Sequence, residues 1–321
     1  MLAFLVRRIA LLVPVVIVIS LMTFGAAHLS PGGPFDKAGQ GRELPQQIID
    51  NLNRKFHLDE PIWKQYLYYM AGFVQGDLGP SYQFRGESVS KLIFYPSQPG
   101  APWLQSRAGR SLELGLIASA FAILIGIPLG VISAVRQNTW IDNVALLFAT
   151  AGITVPSFIV ALLLMVVFGA ELHWLPVVTV DYGELKAWVM PAFTLSLPLL
   201  ALLARMTRAS MLESLRQDYI RTARAKGLPT RIVILKHALR NSLIPVATVL
   251  GPGLAFLITG SFIIEYMFSF PGMGSFFIQG VTSRDYSMVM GLTLFFALVI
   301  TFANLLVDIL YAFLDPRIQV R

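Results

Sequence analysis

The sequence has no cysteine and few charged side chains. Because its 321 residues include no cysteine, disulfides, thiolate nucleophiles, Cys-ligated zinc and iron–sulfur clusters are all excluded. Charged residues make up 13% of the chain, against about 25% in soluble globular domains. The chain therefore lacks the polar surface of an ordinary soluble protein.

The sequence also lacks the residue patterns of catalytic and nucleotide-binding sites. No G-x-x-x-x-G-K-[ST] phosphate loop occurs in it, so we do not expect this chain to bind and hydrolyse ATP itself. The histidines are scattered without the spacing of metal ligands; they are His28, His57, His173 and His237. We therefore predict no catalytic residue, no metal site and no cofactor in this chain.

Long apolar runs are the main feature of the sequence. Hydrophobic residues make up 55% of the chain, and the mean hydropathy is +0.67. About 18 apolar residues suffice to cross the hydrocarbon core, where only helices satisfy their own backbone within one segment. We predict an all-α, polytopic membrane protein with six transmembrane helices. The predicted spans are Ile9–Leu29, Ser111–Val135, Val144–Phe168, Trp188–Met206, Ile244–Ile264 and Met288–Phe313.

The first apolar run follows Arg7 and Arg8, as the core of a signal peptide would. The run Ile9–Ala27 is, however, longer than such a core, which has about 7–15 residues. No clear cleavage site follows it before Ser30. We interpret the run as an uncleaved first span.

The positions of lysine and arginine predict the orientation of the spans. If both termini face the cytoplasm, the short outside loops hold only Lys186 and Arg284, and the other basic residues lie inside or in the long segment 30–110. Long outside segments are translocated largely regardless of their charge. The chain is therefore predicted to be N-in and C-in. Its net charge of +7 belongs to these membrane flanks, so membrane lipid is expected as a partner and nucleic acid is not.

This orientation divides the chain into four predicted segments. Residues 1–29 form an N-terminal transmembrane helix. Residues 30–110 form an outside segment, in which Leu44–Phe56 and Glu60–Gln75 read as amphipathic helices. Residues 111–313 form a core of five membrane helices with a cytoplasmic loop at 209–243, and residues 314–321 form a cytoplasmic tail.

Proline and glycine cluster in two of the predicted spans. The fourth contains Pro191 and Pro198, and the fifth contains Pro245, Gly251, Pro252, Gly253 and Gly260. Proline removes a helix hydrogen bond and clashes with the preceding turn, and membranes tolerate such breaks where neighbours or water satisfy the backbone. One interpretation is a pair of broken helices that line a path; the alternative is that both residues are simply common in membrane helices. The clustering favours the path.

The predicted cytoplasmic loop contains the most informative pattern, within Asp218–Pro245. Asp218 is a predicted N-cap of a short helix that Gly227 ends, and Pro229 starts a second helix that runs into the fifth span. Two residues of the short helix are small enough to let another surface approach, Ala223 and Ala225, and three form a cationic face, Arg221, Arg224 and Lys226.

This loop resembles the E-A-A-x(3)-G loop of the permease subunits of binding-protein-dependent ABC importers, which docks into a groove on the ATPase. The motif here reads Arg221-Thr222-Ala223-Arg224-Ala225-Lys226-Gly227. The glutamate of the general pattern is absent, and Arg221-Thr222-Ala223 looks like the variant of the peptide-importer branch. The resemblance implies that this motif, with Asp218 and Pro229, forms the contact with the ATPase.

The resemblance extends over almost the whole chain. Motifs in the right order match the oligopeptide/dipeptide permease family, and His57–Pro61 with the segment 30–110 is similar to its B-type oligopeptide subunit. Departures are Gly33, where many relatives have Asp, and the Pro-rich stretch Phe94–Arg107, which looks longer than usual. The matching motifs are Leu29-Ser30-Pro31-Gly32, Gly76-Asp77-Leu78-Gly79, Val155-Pro156-Ser157-Phe158, His173-Trp174-Leu175-Pro176, Phe270-Pro271-Gly272-Met273-Gly274, Arg284-Asp285-Tyr286 and Asp308-x-x-Tyr311-x-x-x-Asp315-Pro316-Arg317.

This family implies half of a bacterial inner-membrane importer with the type I ABC importer transmembrane fold. The chain would pair with a second, homologous permease subunit. Two ATPase subunits would bind ATP and Mg inside, and a solute-binding protein would deliver a peptide outside. Relatives also carry nickel, glutathione or peptide-like antibiotics, so the substrate stays open. The implied path contains Pro198, Gly251, Pro252, Gly253 and Gly260, and the implied outer gate contains Pro271, Gly272 and Gly274, for which a plain reverse turn is the alternative.

Two other classes of function compete with the importer subunit. An ion-driven carrier needs ionisable groups near the membrane midplane. Asp308 is the only acidic residue well inside an apolar run, and it lies toward the predicted cytoplasmic end, which favours a hydrogen-bonding anchor. A membrane scaffold would leave the Pro- and Gly-rich spans unexplained. The importer subunit is therefore preferred.

Overall fold

The computed structural model describes residues 2–29, 34–35, 45–84, 87–178 and 182–314, with side chains at residue 10 and, within these ranges, from 13 to 305. Regular secondary structure in this part of the chain is helical, which confirms the all-α prediction. The chain divides into two compact units: unit 1 contains Met1–Leu112, Phe270–Leu305 and Pro316–Arg321, and unit 2 contains Glu113–Ser269 and Leu306–Asp315. The four segments drawn from the sequence stay a prediction.

The helices are labelled in chain order. They are α1 (Leu2–Leu29), α2 (Gln46–Lys55), α3 (Ile62–Val74), α4 (Val89–Phe94), α5 (Arg107–Val135), α6 (Trp140–Thr154), α7 (Ser157–Leu164), α8 (Lys186–Leu215), α9 (Asp218–Ala225), α10 (Thr230–Ile232), α11 (Leu239–Ile258), α12 (Phe262–Met267), α13 (Met273–Ser283) and α14 (Tyr286–Leu314). A π-helical turn continues α7 over Met165–Glu171, and another joins α10 to α11 over Val233–Ala238.

Four helical segments of the described chain are long and apolar enough to cross a membrane, and the pair α6–α7 raises this number to five if it counts as one span. The four are Arg107–Val135, Lys186–Leu215, Thr230–Met267 and Tyr286–Leu305. Within α1, the side chains that the structure describes form an apolar stretch over Val13–Leu29. A polytopic membrane protein is therefore confirmed, and the number of six spans stays a prediction.

Helix α8 forms the centre of unit 2 because glycines let α5 approach its backbone. A Cβ at Gly126 would lie 2.7 Å from Leu200 O, and a Cβ at Gly130 would lie 2.5 Å from Ala204 O. In its most apolar window 72% of α8 is buried, against 33% for α5. The small-xxx-small spacing of the two glycines therefore acts as a helix-packing motif.

We expect Gly130→Val to disrupt this crossing and Gly25→Val to be tolerated. The new side chain at position 130 would meet the α8 backbone at Ala204, and overpacking of this kind costs about 1–3 kcal/mol. Gly25 is also helical, in α1, but no atom lies within 4 Å of a Cβ placed there, so it controls for the change in helix propensity. The measurement is the yield of monodisperse chain after detergent extraction and stepwise heating. Equal yields from the two variants would contradict the packing role.

The predicted third span, Val144–Phe168, consists of two helices. Helices α6 and α7 are bent by 109° at the break between them. Pro156 is the N-cap of α7, with φ −56 and ψ 134, and a proline disfavours helical backbone at the residue before it. The chain therefore leaves α6 at Val155, and the single continuous span is corrected to two bent segments.

The prolines of the fourth and fifth predicted spans do not break their helices. Helix α8 continues through Pro191 and Pro198, and α11 continues through Pro245 and Pro252. The break after α11 falls at Gly260 instead, whose φ of +80 lies in the left-handed region that glycine adopts without a Cβ clash. The expectation of a broken helix is therefore wrong for the fourth predicted span, whereas the fifth is broken at one of its named residues, Gly260.

In unit 1 the buried carboxylate of Asp285 joins the start of α14 to the loop before α4. Ser81 Oγ donates to Asp285 Oδ2, as do the backbone N–H groups of Tyr82 at 3.1 Å and Gln83 at 3.3 Å. The N–H of Met288, in the first turn of α14, donates to Oδ1 at 3.2 Å. Asp285 is thus an N-cap of α14. Four donors satisfy a side chain in a residue that is only 1% exposed.

Helices α2 and α3 agree within two residues with the amphipathic helices predicted outside the membrane. Helix α3 packs along the C-terminal half of α1: Ser20 Oγ and Tyr66 OH are 2.8 Å apart, and His28 Nε2 and Gln65 Oε1 are 3.2 Å apart. The chain leaves α3 at Gly76, which has a φ of +83. These contacts place α3, the second of the predicted outside helices, directly against α1.

Candidate functional site

Helix α9 is the short helix predicted in the loop between the fourth and fifth spans. Gln217 is its N-cap and Asp218 lies in its first turn, so the prediction of Asp218 as the N-cap is wrong by one residue. In the first turn a carboxylate faces the partial positive charge of the helix N-terminus. Asp218 Oδ1 also lies 3.4 Å from Arg221 Nη1. Both side chains are largely exposed, so this ion pair contributes little to stability.

Gly227 ends α9, as predicted. Its φ is +74, its N–H donates to Arg224 O at 3.0 Å, and the N–H of Leu228 donates to Ala223 O at 3.4 Å. These two bonds form the Schellman pattern of a helix C-terminus. Pro229 follows as the N-cap of α10, with φ −62 and ψ 142. The second helix therefore starts directly after Pro229, where the sequence predicts it.

One face of α9 is buried within its own chain. Ile220 and Ala223 are 0% and 5% exposed and belong to one apolar cluster. The other buried members come from the ends of α5 and α8 and from the π-helical turn before α11; they are Ala134, Met211, Val233 and Ala238. This cluster fixes α9 to three helices. The small side chain of Ala223 therefore packs against this chain itself, and its part in a contact with the ATPase stays a prediction.

The opposite face of α9 is exposed and cationic. Its exposed members after Asp218 and Tyr219 are Arg221, Thr222, Arg224, Ala225 and Lys226. Ala225 is thus the alanine of the motif that faces away from the chain. Guanidinium and ammonium groups on an exposed helix can bind the carboxylates of another surface. The methyl group of Ala225 leaves room for that surface between the cations.

In addition to the apolar cluster, hydrogen bonds connect α9 to the end of α8 and to the turn before α11. Ser214 Oγ at the end of α8 donates to Ala238 O at 3.1 Å, and Tyr219 OH lies 2.6 Å from the same oxygen of Ser214. Since the Ser214 proton is used toward Ala238, the Tyr219 hydroxyl is the donor in the second bond. A displacement of α9 therefore moves the end of α8 and the start of α11 with it.

A buried ion pair joins the start of α6 to α8. Arg208 Nε donates to Asp142 Oδ1 at 2.7 Å and Arg208 Nη2 donates to Oδ2 at 2.8 Å. Asp142 is 1% exposed and also accepts hydrogen bonds from Ser133 Oγ and from the N–H of Asn138. A bidentate pair of this kind fixes the relative geometry of its two helices. Sequence reasoning missed it, because the only local signal was an acidic residue in the first turn of an apolar helix.

The path candidates of unit 2 lie on α8, on α11 and at the break after α11. Gly253 brings α11 close to α8, because a Cβ there would lie 2.5 Å from Leu199 Cδ1. Gly253 is half-buried, Gly251 and Gly260 are buried, and Pro198 and Pro252 are exposed. The structure thus gives Gly253 a packing role. The path-lining role of these residues stays a prediction.

The gate candidates Pro271, Gly272 and Gly274 lie in unit 1, at the start of α13. Gly272 is the N-cap of α13, and the N–H of Met273 donates to Ser111 Oγ of α5 at 2.9 Å. These residues therefore form a fixed helix start. They belong to a different unit from the path candidates, and the gate stays a prediction.

The exposed groups of α9 can make non-covalent contacts with another surface. Among the described residues, no three His, Cys, Asp or Glu side chains come together as a metal site. Several apolar helices of membrane-crossing length, with an exposed cationic helix in the chain between two of them, define a polytopic membrane protein.

Two family models match the chain. "Binding-protein-dependent transport system inner membrane component" matches residues 126–320, and the N-terminal part of the binding-protein-dependent transport system membrane component matches residues 1–84. The chain therefore belongs to the family of inner membrane components of binding-protein-dependent transport systems. The predicted inner-membrane location and ABC importer permease family are confirmed.

Relatives match the chain over nearly its full length. The oligopeptide transport system permease protein OppB of Escherichia coli (strain K12) is 40% identical over 99% of this chain and 100% of that protein. The dipeptide transport system permease protein DppB of Bacillus subtilis (strain 168) is 39% identical over 98% of this chain and 97% of that protein. The glutathione transport system permease protein GsiC of Escherichia coli O6:H1 is 36% identical over 99% of each. A solved structure of the MetNI methionine ABC transporter, inward facing, has a TM-score of 0.48 and 17% identity over 63% of this chain and 93% of that chain.

Proposed function

We propose that this permease subunit forms half of the translocation path of an ATP-driven importer for peptides, oligopeptides in the first place. The relatives named for oligopeptide, dipeptide and glutathione transport support a peptide substrate. The structural observation that carries the proposal is the division of α9 into a buried apolar face and an exposed cationic face. Such a helix is suited to contact a partner without coming loose from its own chain.

Inner membrane components of this family work with ATPase and substrate-binding partners. In the proposed assembly, a second, homologous permease subunit completes the path. Two ATPase subunits lie on the predicted cytoplasmic side and bind the exposed face of α9 through acidic or polar groups. The solute-binding protein delivers the peptide on the opposite side, where the segment 30–110 is predicted to lie.

Coupling follows from the attachment of α9. When ATP closes the ATPase pair, α9 moves with the surface to which it is bound. The ends of α5 and α8 and the start of α11 follow, because Ile220 and Ala223 are packed between them. Movement of these helices alternately opens the path to the two sides of the membrane, as rocking does in other transporters. The proposed path residues of this subunit are Pro198, Gly251, Pro252, Gly253 and Gly260.

The test is peptide uptake by bacterial cells that lack this chain. We expect the reintroduced chain to restore uptake of the radiolabelled tripeptide Ala-Phe-Ala when the partner ATPases are intact. The uptake should disappear when the phosphate-loop lysine of those ATPases is replaced, because this chain has no phosphate loop of its own. Uptake that persists with the inactive ATPases would overturn the importer. ATP-dependent uptake of nickel but of no peptide would overturn the substrate class alone.

Glutathione is the second candidate substrate, favoured by the 36% identity to GsiC. Because glutathione is itself a tripeptide, excess unlabelled glutathione in the same uptake assay distinguishes the two. Full competition would favour glutathione, and no competition would favour ordinary peptides. The acidic residue of the ion-driven alternative, Asp308, lies beyond the side chains that the structure describes.

A further inference from the structure

A cavity of about 320 Å³ lies within unit 1, between the end of α1, helices α2 and α3, and the start of α14. Its size falls at the lower end of ligand pockets, which measure about 300–1,000 Å³. The coupling proposed for α9 and the path of unit 2 use none of the residues that line it. The cavity is therefore a separate candidate binding site, on the predicted outside segment of the chain.

Aromatic rings in mutual contact form one wall of the cavity. The ring of His28 lies 4.0 Å from that of Phe24 and 5.2 Å from that of Tyr286, measured between centroids. Tyr82 continues the series, 6.1 Å from Tyr286 and 4.9 Å from Phe56. Because each ring supports the next, the wall is formed before a ligand arrives. Such a wall favours an aromatic or apolar body and attracts cations to its ring faces.

Two polar side chains that line the cavity can each form a further hydrogen bond. The hydroxyl of Tyr69 is buried and has no hydrogen-bond partner among the described residues. Burial raises the pKa of Tyr69 well above its usual range, so the hydroxyl keeps its proton and can donate. Asp77 accepts hydrogen bonds from the N–H of Gly79 at 3.1 Å and from Ser88 Oγ at 3.3 Å, both through Oδ1. Its Oδ2 is left without a donor from the described part of the chain.

Lys55 adds a positive charge to the lining of the cavity, opposite in sign to that of Asp77. It lies at the end of α2, with Nζ 5.5 Å from the centre of the Phe56 ring. No described carboxylate oxygen lies within 4 Å of its ammonium group. The lining of the cavity therefore combines an ammonium group, a carboxylate oxygen and a hydroxyl with the aromatic rings, and each of these three groups can still bind a ligand.

We propose that this cavity binds a short peptide as a zwitterion. The ligand's ammonium group pairs with Asp77, its carboxylate pairs with Lys55 and the Tyr69 hydroxyl, and an aromatic or apolar side chain packs on the ring wall. The small volume restricts the ligand to the length of a dipeptide. This proposal rests on the proposed peptide importer, and it gives the permease subunit an outside peptide site of its own, in addition to that of the solute-binding protein.

The experiment measures binding of the radiolabelled dipeptide Ala-Phe by equilibrium dialysis. The complete transporter, with both permease subunits and the ATPases, is held in lipid nanodiscs without the solute-binding protein. We expect saturable binding to the wild type. N-acetylated Ala-Phe and Ala-Phe amide should each bind about tenfold more weakly, because each loses one charge-assisted hydrogen-bonding group.

Matched variants locate the site. Lys55→Met and Asp77→Asn should each raise the dissociation constant about tenfold, again through loss of one charged group. Asn at position 77 keeps the oxygen that accepts from Gly79. The controls are Lys91→Met and Asp59→Asn, which remove the same charges from exposed residues that do not line the cavity. Both controls should bind Ala-Phe like the wild type. All variants are compared as monodisperse complexes.

The outcomes separate this site from the proposed function. No saturable binding, or equal dissociation constants for Lys55→Met and Lys91→Met, would overturn the cavity as a peptide site. ATP-driven peptide uptake that persists alongside that result would leave the importer intact. Binding that depends on Lys55 and Asp77 supports the site, even where ATPase-dependent uptake of peptides fails and the importer is rejected.

Discussion

Replacing Gly227 by valine should leave the transporter assembled and able to hydrolyse ATP, while peptide uptake falls about tenfold or more. A β-branched residue at a φ of +74 costs about 1–3 kcal/mol, and 1.4 kcal/mol already corresponds to a tenfold change in an equilibrium. Among the described residues, no neighbouring atom lies within 4 Å of a Cβ at this position, so the effect is one of backbone conformation and not of collision. The strained residue leaves the left-handed region, and α9 loses its fixed connection to Pro229.

Gly100→Val is the matched control for this variant. Gly100 has a φ of +82 and equally open surroundings, but it lies in the predicted outside loop. Uptake and ATPase activity are measured in the same membrane preparation for both variants. If Gly227→Val transports peptide as well as Gly100→Val does, the coupling role of α9 is wrong.

Asp142→Ala should strongly reduce the stability of unit 2. The substitution leaves Arg208, whose side chain is 19% exposed, without its carboxylate, and removes the acceptor of Ser133 Oγ. Breaking a buried pair in this way costs about 3–5 kcal/mol. The measurement is the temperature at which half of the detergent-solubilised chain is lost from the monodisperse peak. The double variant Asp142→Ala/Arg208→Met should recover part of the loss, since no buried charge is then left unpaired.

Asp218→Ala provides the comparison for that result. It breaks an ion pair with Arg221 in which the side chains are 93% and 77% exposed. Surface pairs of this kind are worth about 0–1 kcal/mol. A midpoint temperature for Asp142→Ala as high as that of Asp218→Ala would show that the buried pair does not hold α6 to α8.

Local signals account for what could be predicted from the sequence. Gly227 and Pro229 mark the end of α9 and the start of the next helix through backbone preferences that act within a few residues, and both positions are confirmed. The apolar runs predict the membrane helices because the requirement for 18 or more apolar residues is also a local one. Asp218 missed the N-cap by one residue, as Gln217 takes that place.

What could not be predicted depends on contacts between distant residues. Asp142 and Arg208 are 66 positions apart, and no pattern in the sequence pairs them. The two alanines of the motif have the same side chain, and only the packing of α9 reveals that Ala223 faces inward and Ala225 outward. Prolines were expected to break α8 and α11, but the helices continue through them, and the positive φ falls at Gly260.

The apolar attachment of α9 has a mechanical consequence. Ile220 and Ala223 pack against the ends of three helical segments rather than one. In the proposed coupling, a force on α9 is therefore shared among α5, α8 and the start of α11. Such an attachment is redundant. Shortening one buried side chain of the cluster, for instance by Val233→Ala, should loosen one of the three contacts while the other two still connect α9 to the membrane helices. Single core substitutions around α9 should therefore reduce peptide uptake in graded steps, whereas a change at Gly227, which ends α9, should reduce it in one large step.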